Sequence, residues 1–416
     1  MRTEPEPAAD APADPRDRGP NHRPSVSLGN SEARERIKRA VRFCLLAFVG
    51  LRIAMLVIGV VGVTLFPPLR SVGVPGWPAH AVDPGWQNAF TAWERFDALW
   101  FLRIAESGYR LRDGSAAFFP LYPLLVRGLS FALGGHPLGA ATIVSNAAFW
   151  GGLVVTYLLT TSELSERTAR TTVLLMCVFP TAHFFLMPYS ESLFLLLSVT
   201  AFWGARRRRW AVAGAAGALA ALTRSVGIVL APALAIEAFH QRREGRGPAW
   251  PGILAATATA CGLLAYLGFW WVRAGEWLAP VTFQANWERT FSWPWSTLWN
   301  GTGDAFRYLG EANGGYWLID WLIVVPMLAA SVYALVRLRP SYGVYLWCGL
   351  LIPLTFVFQG RPLMSMPRFL LPLFPAFWGL ALGLERLRIP RAAALAVAAA
   401  GLGVLSVLTV NWYYIF

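Results

Sequence analysis

Lysine is all but missing from this 416-residue chain: Lys38 stands alone among 36 Lys and Arg residues. The cations are therefore arginines, as a GC-rich genome produces and as bidentate recognition of phosphate favours. Charge of either sign is scarce, 14% of residues against 56% hydrophobic, which excludes an ordinary water-soluble domain with a charged surface. Cysteine is rare and dispersed: Cys44, Cys177, Cys261 and Cys348 each lie inside an apolar stretch, which excludes a disulfide framework and reads as packing. The five histidines include no pair at helical metal-ligand spacing, so no structural zinc is expected. The net charge of +13 is carried mostly by short clusters between apolar segments. It reads as a topology signal, with no nucleic-acid partner expected.

What the chain does have is apolar length. About 20 apolar residues cross a bilayer, and such stretches recur from Val41 to the C-terminus. Residues 1–32, rich in Pro, Ala, Asp and Arg, lack apolar periodicity and are expected to be a disordered cytoplasmic tail. They hold no apolar core of a signal peptide. Residues 33–416 are expected to form one membrane domain, embedded in membrane lipids.

Arg34, Arg36, Lys38, Arg39 and Arg42 precede the first apolar run, which places the N-terminus in the cytoplasm. Later basic clusters, at Arg167/Arg170, Arg206 to Arg209, Arg242/Arg243/Arg246, Arg337/Arg339 and Arg386 to Arg391, keep that orientation with about eleven crossings. These lie near 43–66, 138–160, 170–187, 189–205, 210–223, 225–239, 252–274, 316–336, 343–358, 367–385 and 392–413. The least regular step is 210–239, divided at Thr223-Arg224 into two segments of about 15 residues, short for full crossings. Two long external loops remain, 67–137 and 275–315. Both are rich in aromatic residues, as an interfacial belt is.

The first loop carries Trp93-Glu94-Arg95-Phe96-Asp97-Ala98-Leu99-Trp100-Phe101-Leu102-Arg103-Ile104-Ala105-Glu106-Ser107-Gly108-Tyr109, a helical pattern stopped by glycine. At about 100° per residue, Arg95, Arg103, Glu106 and Arg110 share a solvated side. Asp97 points the other way, with Trp100, Phe101 and Ile104. A carboxylate on an apolar face needs a partner, and desolvation suits it to general base work; the plainer alternative is a helix cap. The rigid Ala117-Phe118-Phe119-Pro120-Leu121-Tyr122-Pro123 segment suits a cleft wall or an interfacial anchor. Glu191, in Pro188-Tyr189-Ser190-Glu191-Ser192, is an acid at an external span junction, either functional or complementing the dipole of the next helix. Arg224, Arg361 and Arg368 run against the positive-inside trend. They either snorkel to the interface or capture a lipid-linked phosphate.

Arg95-Phe96-Asp97-Ala98, Ile104-Ala105, Gly108-Tyr109, Ala117-Phe118-Phe119-Pro120-Leu121-Tyr122-Pro123, Tyr189-Ser190-Glu191-Ser192-Leu193-Phe194 and Leu222-Thr223-Arg224 follow one another as in the PIG-V family. The chain resembles that family of second GPI mannosyltransferases, and its bacterial members, over about 90–380. The resemblance implies an all-α integral membrane fold of GT-C type, a polytopic helical bundle with amphipathic helices in a large first external loop. It implies transfer of mannose from polyprenyl-phosphate mannose, with inversion, to an external glycan, lipid or protein acceptor. Asp97 is then the catalytic base, and Arg224, Arg361 and Arg368 bind the donor phosphate. Trp100, Arg103, Asp113, Phe118, Phe119, Tyr122, Tyr189 and Glu191 form the substrate pocket. No cofactor or obligatory metal is implied, and the active site faces outward from a multi-pass cell-membrane protein. Where many members carry a glutamate after Gly-Tyr, this chain has Arg110-Leu111-Arg112-Asp113, which makes Asp113 a candidate second acid. Phe179-Pro180-Thr181-Ala182-His183 also departs from the family's Asn-Pro version. Another lipid-phosphate sugar or a protein acceptor is the nearest alternative. A transporter or flippase fits less well, because no internal repeat is evident.

Overall fold

The computed structural model describes residues 30–79, 85–111, 113–283, 288–311 and 315–414. The expected disordered tail lies outside them except for residues 30–32, which are already helical. Met1–Arg39 and Ala40–Phe416 are separate compact units. In the first, the described residues begin helix α1 (Asn30–Leu65), with Lys38 Nζ 2.7 Å from Glu35.

The second unit is a helical bundle. Its long helices, after α1, are α5 (Pro137–Glu163), α6 (Glu166–Val178), α7 (Glu191–Arg206), α8 (Trp210–Ala221), α9 (Leu230–Arg243), α10 (Trp250–Ala274), α13 (Gly315–Arg337), α14 (Pro340–Thr355), α16 (Phe374–Arg386) and α17 (Arg391–Val410). The segment 67–137 contributes α2 (Asn88–Thr91), α3 (Asp97–Ser107) and α4 (Leu121–Ala132), and the segment 275–315 contributes α11 (Ala279–Thr282) and α12 (Pro294–Arg307). A single turn, α15 (Met366–Phe369), precedes α16. The all-α membrane bundle with helices in its first long loop, 67–137, is thus as the sequence predicts. One addition is a two-stranded antiparallel ladder, β1 (Arg289–Phe291) on β2 (Phe356–Phe358), with Arg289 opposite Phe358.

Among the described residues, α1, α5, α10, α13 and α17 are long and apolar enough to cross a membrane. Only 22% to 39% of their apolar windows is buried by protein, so the remainder is surface suited to lipid. The other expected crossings are shorter helices, and eleven full crossings are not what their lengths support. The expected span 170–187 stops at Val178, because Pro180 biases Phe179 to an extended ψ of 141°. The span 367–385 begins only at Phe374, after Pro372. The division at Thr223-Arg224 is where expected: α8 ends at Ala221, and a 3-10 turn, Ser225–Val229, leads into α9.

Helices pack closely where small residues meet. A Cβ on Gly262 of α10 would run into the Ala218 carbonyl of α8, and one on Gly379 of α16 into the Ala330 carbonyl of α13. Tight pairs of this kind leave the ends of α3, α7 and α8 to converge with α15 around a small polar space.

Candidate active site

The first-loop helix begins later than its sequence pattern suggests. Phe96 adopts φ +54°, a left-handed conformation strained for an aromatic residue, and the regular turns start at Asp97. The Phe96 ring is held edge-on by Trp412 at 5.4 Å and Tyr414 at 5.3 Å. The helix then ends at Gly108, φ +75°, where glycine is the residue that fits. Nearly the whole helix is buried, from Ala98 to Ala105. The side expected to be solvated is so only in part: Arg95 and Arg103 are 2% and 0% exposed, whereas Glu106 and Arg110 are exposed.

Asp97 and Glu191 are each the first residue of a helix, α3 and α7, a position that the dipole favours for an acid by roughly 0.3–1 kcal/mol. Tyr189 ties the two starts together. Its hydroxyl accepts from the Asp97 backbone N–H and donates to the Arg95 carbonyl, both at 3.1 Å, which satisfies one orphan donor of α3. Glu191 thus has its plainer reading as a first-turn acid, whereas Asp97 follows the cap residue, Phe96, and is not itself the cap.

Arg368, on α15, joins the two carboxylates. Its Nη1 donates to Asp97 Oδ2 at 2.6 Å, and its Nε lies 3.1 Å from Glu191 Oε1. Arg224, just past the end of α8, sets Nη1 2.7 Å from the same Glu191 oxygen and 3.2 Å from Ser190 Oγ. Glu191 is fully buried, yet neither of its oxygens finds a well-angled donor among the described residues. Its hold on the two arginines is therefore electrostatic rather than directional.

These side chains line a cavity of about 150 Å³ with Phe101, Ala117, Phe118, Phe119, Tyr189, Ser190, Thr223, Ser225, Arg289, Phe369 and Tyr414. The aromatic wall is fixed from behind. The Phe118 carbonyl accepts from Tyr109 at 2.7 Å and Tyr266 at 3.1 Å, Leu121 N–H donates to the Leu222 carbonyl at 3.0 Å, and the Phe118 ring stacks on Trp100 at 5.4 Å. The prolines of this segment do not prevent a helix: Pro120 caps α4, and Pro123 sits in its first turn.

The structure brings together Asp97, Arg224, Arg368, Phe118, Phe119, Tyr189 and Glu191, and it separates the remaining candidates. Arg361 does not line the cavity. It forms a bidentate pair with buried Asp320 at 2.6 and 2.8 Å and donates to the Tyr316 and Tyr414 carbonyls, because a buried guanidinium must meet its own charge. Asp113 Oδ1 accepts from Ser115 N–H, while Oδ2 lies 2.7 Å from Arg103, whose guanidinium packs on Trp100. This trio supports the loop behind Phe118 and does not line the cavity. Tyr122 is fully buried and spends its hydroxyl on Ala141 and Ser145.

Arg289 and Tyr414 are lining residues that no sequence pattern singles out. Arg289 offends the positive-inside trend just as Arg224 does, but only the β1–β2 ladder carries it to the cavity. It is half-buried, and burial, followed by the Arg368 charge, presses its guanidinium below the usual range. Burial and the Asp97 charge raise the Tyr414 phenol.

Two solved structures give the scale of likeness to known folds. ArnT from Cupriavidus metallidurans bound to undecaprenyl phosphate is 14% identical over 89% of this chain and 76% of its own, with a TM-score of 0.46. The oligosaccharyltransferase AglB from Archaeoglobus fulgidus, in complex with an inhibitory peptide and a dolichol-phosphate, is 11% identical over 89% of this chain and 56% of its own, with a TM-score of 0.40. No curated protein matches in sequence. The family described as Mannosyltransferase (PIG-V) matches residues 35–243, a stretch that takes in most of α1, the whole first loop, Glu191 and Arg224. By that match over half of its length, and with apolar helices able to cross a membrane, the chain belongs to the PIG-V family of mannosyltransferases and is a membrane glycosyltransferase.

Proposed function

We propose that the protein transfers mannose from polyprenyl-phosphate mannose to a hydroxyl group at the outer membrane face, inverting the anomeric centre, with Asp97 as general base. The observation that carries this reading is the Asp97–Arg368 pair, 2.6 Å apart in a polar cavity of an otherwise apolar chain. A direct displacement needs a base for the acceptor and a cation for the leaving phosphate, and here they stand side by side. The acceptor oxygen attacks C1 opposite the phosphate and its proton passes to Asp97. The C1–O bond to phosphate breaks, and its electron pair stays on the phosphate oxygen. A β-linked donor gives an α-mannoside. Arg224 and Arg368 bind the phosphate, because fixed cations stabilise most where charge develops, and the scheme needs no metal for that charge.

The cavity of about 150 Å³ is small beside the roughly 300–1,000 Å³ of ligand sites. Donor entry therefore exchanges partners: the phosphate takes the Arg368 guanidinium, and Asp97 is released for the acceptor proton. The acceptor is a glycan, lipid or protein hydroxyl.

Membranes holding wild type or Asp97→Asn, incubated with labelled polyprenyl-phosphate mannose, test the mechanism by label in lipid, glycan and protein fractions. We expect roughly a 10²–10⁴-fold loss, and equal transfer by the two proteins overturns the mechanism. Transfer only from a glucosyl or arabinosyl carrier keeps the mechanism and replaces the sugar. The outward orientation rests on the basic clusters. A cysteine placed at 113 should label from outside intact cells and one at 244 should not; the reverse inverts the topology.

A further inference from the structure

Among the described residues, five charged side chains line the cavity: Asp97 and Glu191 against Arg224, Arg289 and Arg368. One positive charge is therefore left over. Arg224 and Arg368 each lie within ion-pair distance of a carboxylate. Arg289 differs. Among the described residues its hydrogen bonds go to neutral oxygens, the Phe356 carbonyl at 3.1 Å and Ser365 Oγ at 3.0 Å.

Those two bonds fix its direction. Phe356 belongs to β2, the partner strand of β1, and Ser365, held at φ +69°, opens the turn that carries Arg368. The three arginines surround one ring: the guanidinium carbons of Arg224, Arg289 and Arg368 lie 5.6, 5.7 and 5.3 Å from the centroid of Phe369. Like charges gathered around one ring repel unless an anion sits among them. Leaving one of them uncompensated costs free energy that a bound anion recovers.

We propose that Arg289 is a binding residue for the donor phosphate, delivered to the site by the second external loop. This rests on the reading of the cavity as the donor site and deepens it. A phosphodiester carries one negative charge, equal to the excess left by the lining residues. Arginine presents a fork that a phosphate can accept from at two oxygens. Arg289 does not hold Asp97, so it can bind phosphate without disturbing the base, and Arg368 changes partner afterwards. The ladder is then functional: it anchors the loop that bears the third cation.

The test uses full-length protein in lipid nanodiscs and undecaprenyl-phosphate mannose without acceptor, with binding read from the rise in unfolding temperature. Undecaprenol is the control that lacks phosphate. Wild type should bind the mannosyl phosphate and Arg289→Gln at least tenfold more weakly, with undecaprenol unaffected by the change. Arg289→Lys, which keeps the charge but not the fork, should fall between, about threefold weaker, and carries the test if Arg289→Gln does not fold. Wild-type affinity in a folded Arg289→Gln or Arg289→Lys protein overturns the proposal while leaving the donor reading intact. Equal weakening towards undecaprenol also overturns it, because the loss is then not of phosphate recognition. If wild type fails to bind the mannosyl phosphate, the donor reading and this proposal fall together.

Discussion

Helix α7 carries a member of two different ion clusters, Glu191 at its first residue and Arg206 at its last, about 22 Å apart at ~1.5 Å per residue. The cluster around Arg206 is balanced. Arg206, Arg246 and Arg339 meet Glu163, Glu237 and Glu244, with Arg206 at 2.7 Å from Glu163 and 2.8 Å from Glu237. Buried Glu237 also accepts from Gln241 at 2.8 Å and Ser341 at 2.7 Å. Among the described residues, the cluster around Glu191 has one cation too many, poorly angled Glu191 contacts and a cavity. Buried ions that are balanced and hydrogen-bonded fasten helices; an unbalanced set beside a cavity is poised for a ligand's charge.

Variants can break that contrast. The largest effect is expected from Asp97→Asn, with transfer down roughly 10²–10⁴-fold and only a small fall in unfolding temperature, since Glu191 stays beside Arg368. A large drop in that temperature instead would make the cluster around Glu191 structural like the one around Arg206. Glu237→Gln should do the opposite. Removing a charge from the buried Arg206–Glu237 pair costs roughly 3–5 kcal/mol, seen as a lower unfolding temperature, while the folded fraction keeps its KM for donor. Arg224→Gln should raise the donor KM by about tenfold, since a hydrogen bond to a charged group contributes about 1.5–3 kcal/mol, whereas Arg361→Gln should lower stability and leave that KM alone. A smaller KM change for Arg224→Gln than for Arg361→Gln would reverse their assignments. The smallest effect belongs to Arg170→Gln. Its exposed pair with Glu166 at 2.8 Å contributes at most about 0.5 kcal/mol, and neither unfolding nor transfer should move measurably.

Two regularities are legible in the amino-acid sequence alone. Apolar length between arginine clusters marks a membrane bundle, because lipid demands both. The PIG-V motifs mark Asp97, Glu191 and Arg224 in their order along the chain. The division of 210–239 is legible too, since a polar pair interrupts an apolar run. Helix lengths are less so, because Pro180 and Pro372 end helices inside runs that hydropathy reads as continuous.

The sequence by itself determined which residues are chemically exceptional: an arginine or a carboxylate in apolar surroundings is conspicuous by composition alone. What it could not determine is which of them meet, because pairing depends on positions far apart in the chain. Asp97 and Arg368 are 271 residues apart and in contact. Arg361, as exceptional as Arg368 and only seven residues away in sequence, turns to Asp320 instead. Arg103 claims Asp113, and Arg289 reaches the cavity through a three-residue strand that no apolar pattern announces. Each buried guanidinium takes the nearest acceptor its backbone allows, and that choice is made by helix packing, which is why only the tertiary structure could separate the arginines that hold the fold from those set around the cavity.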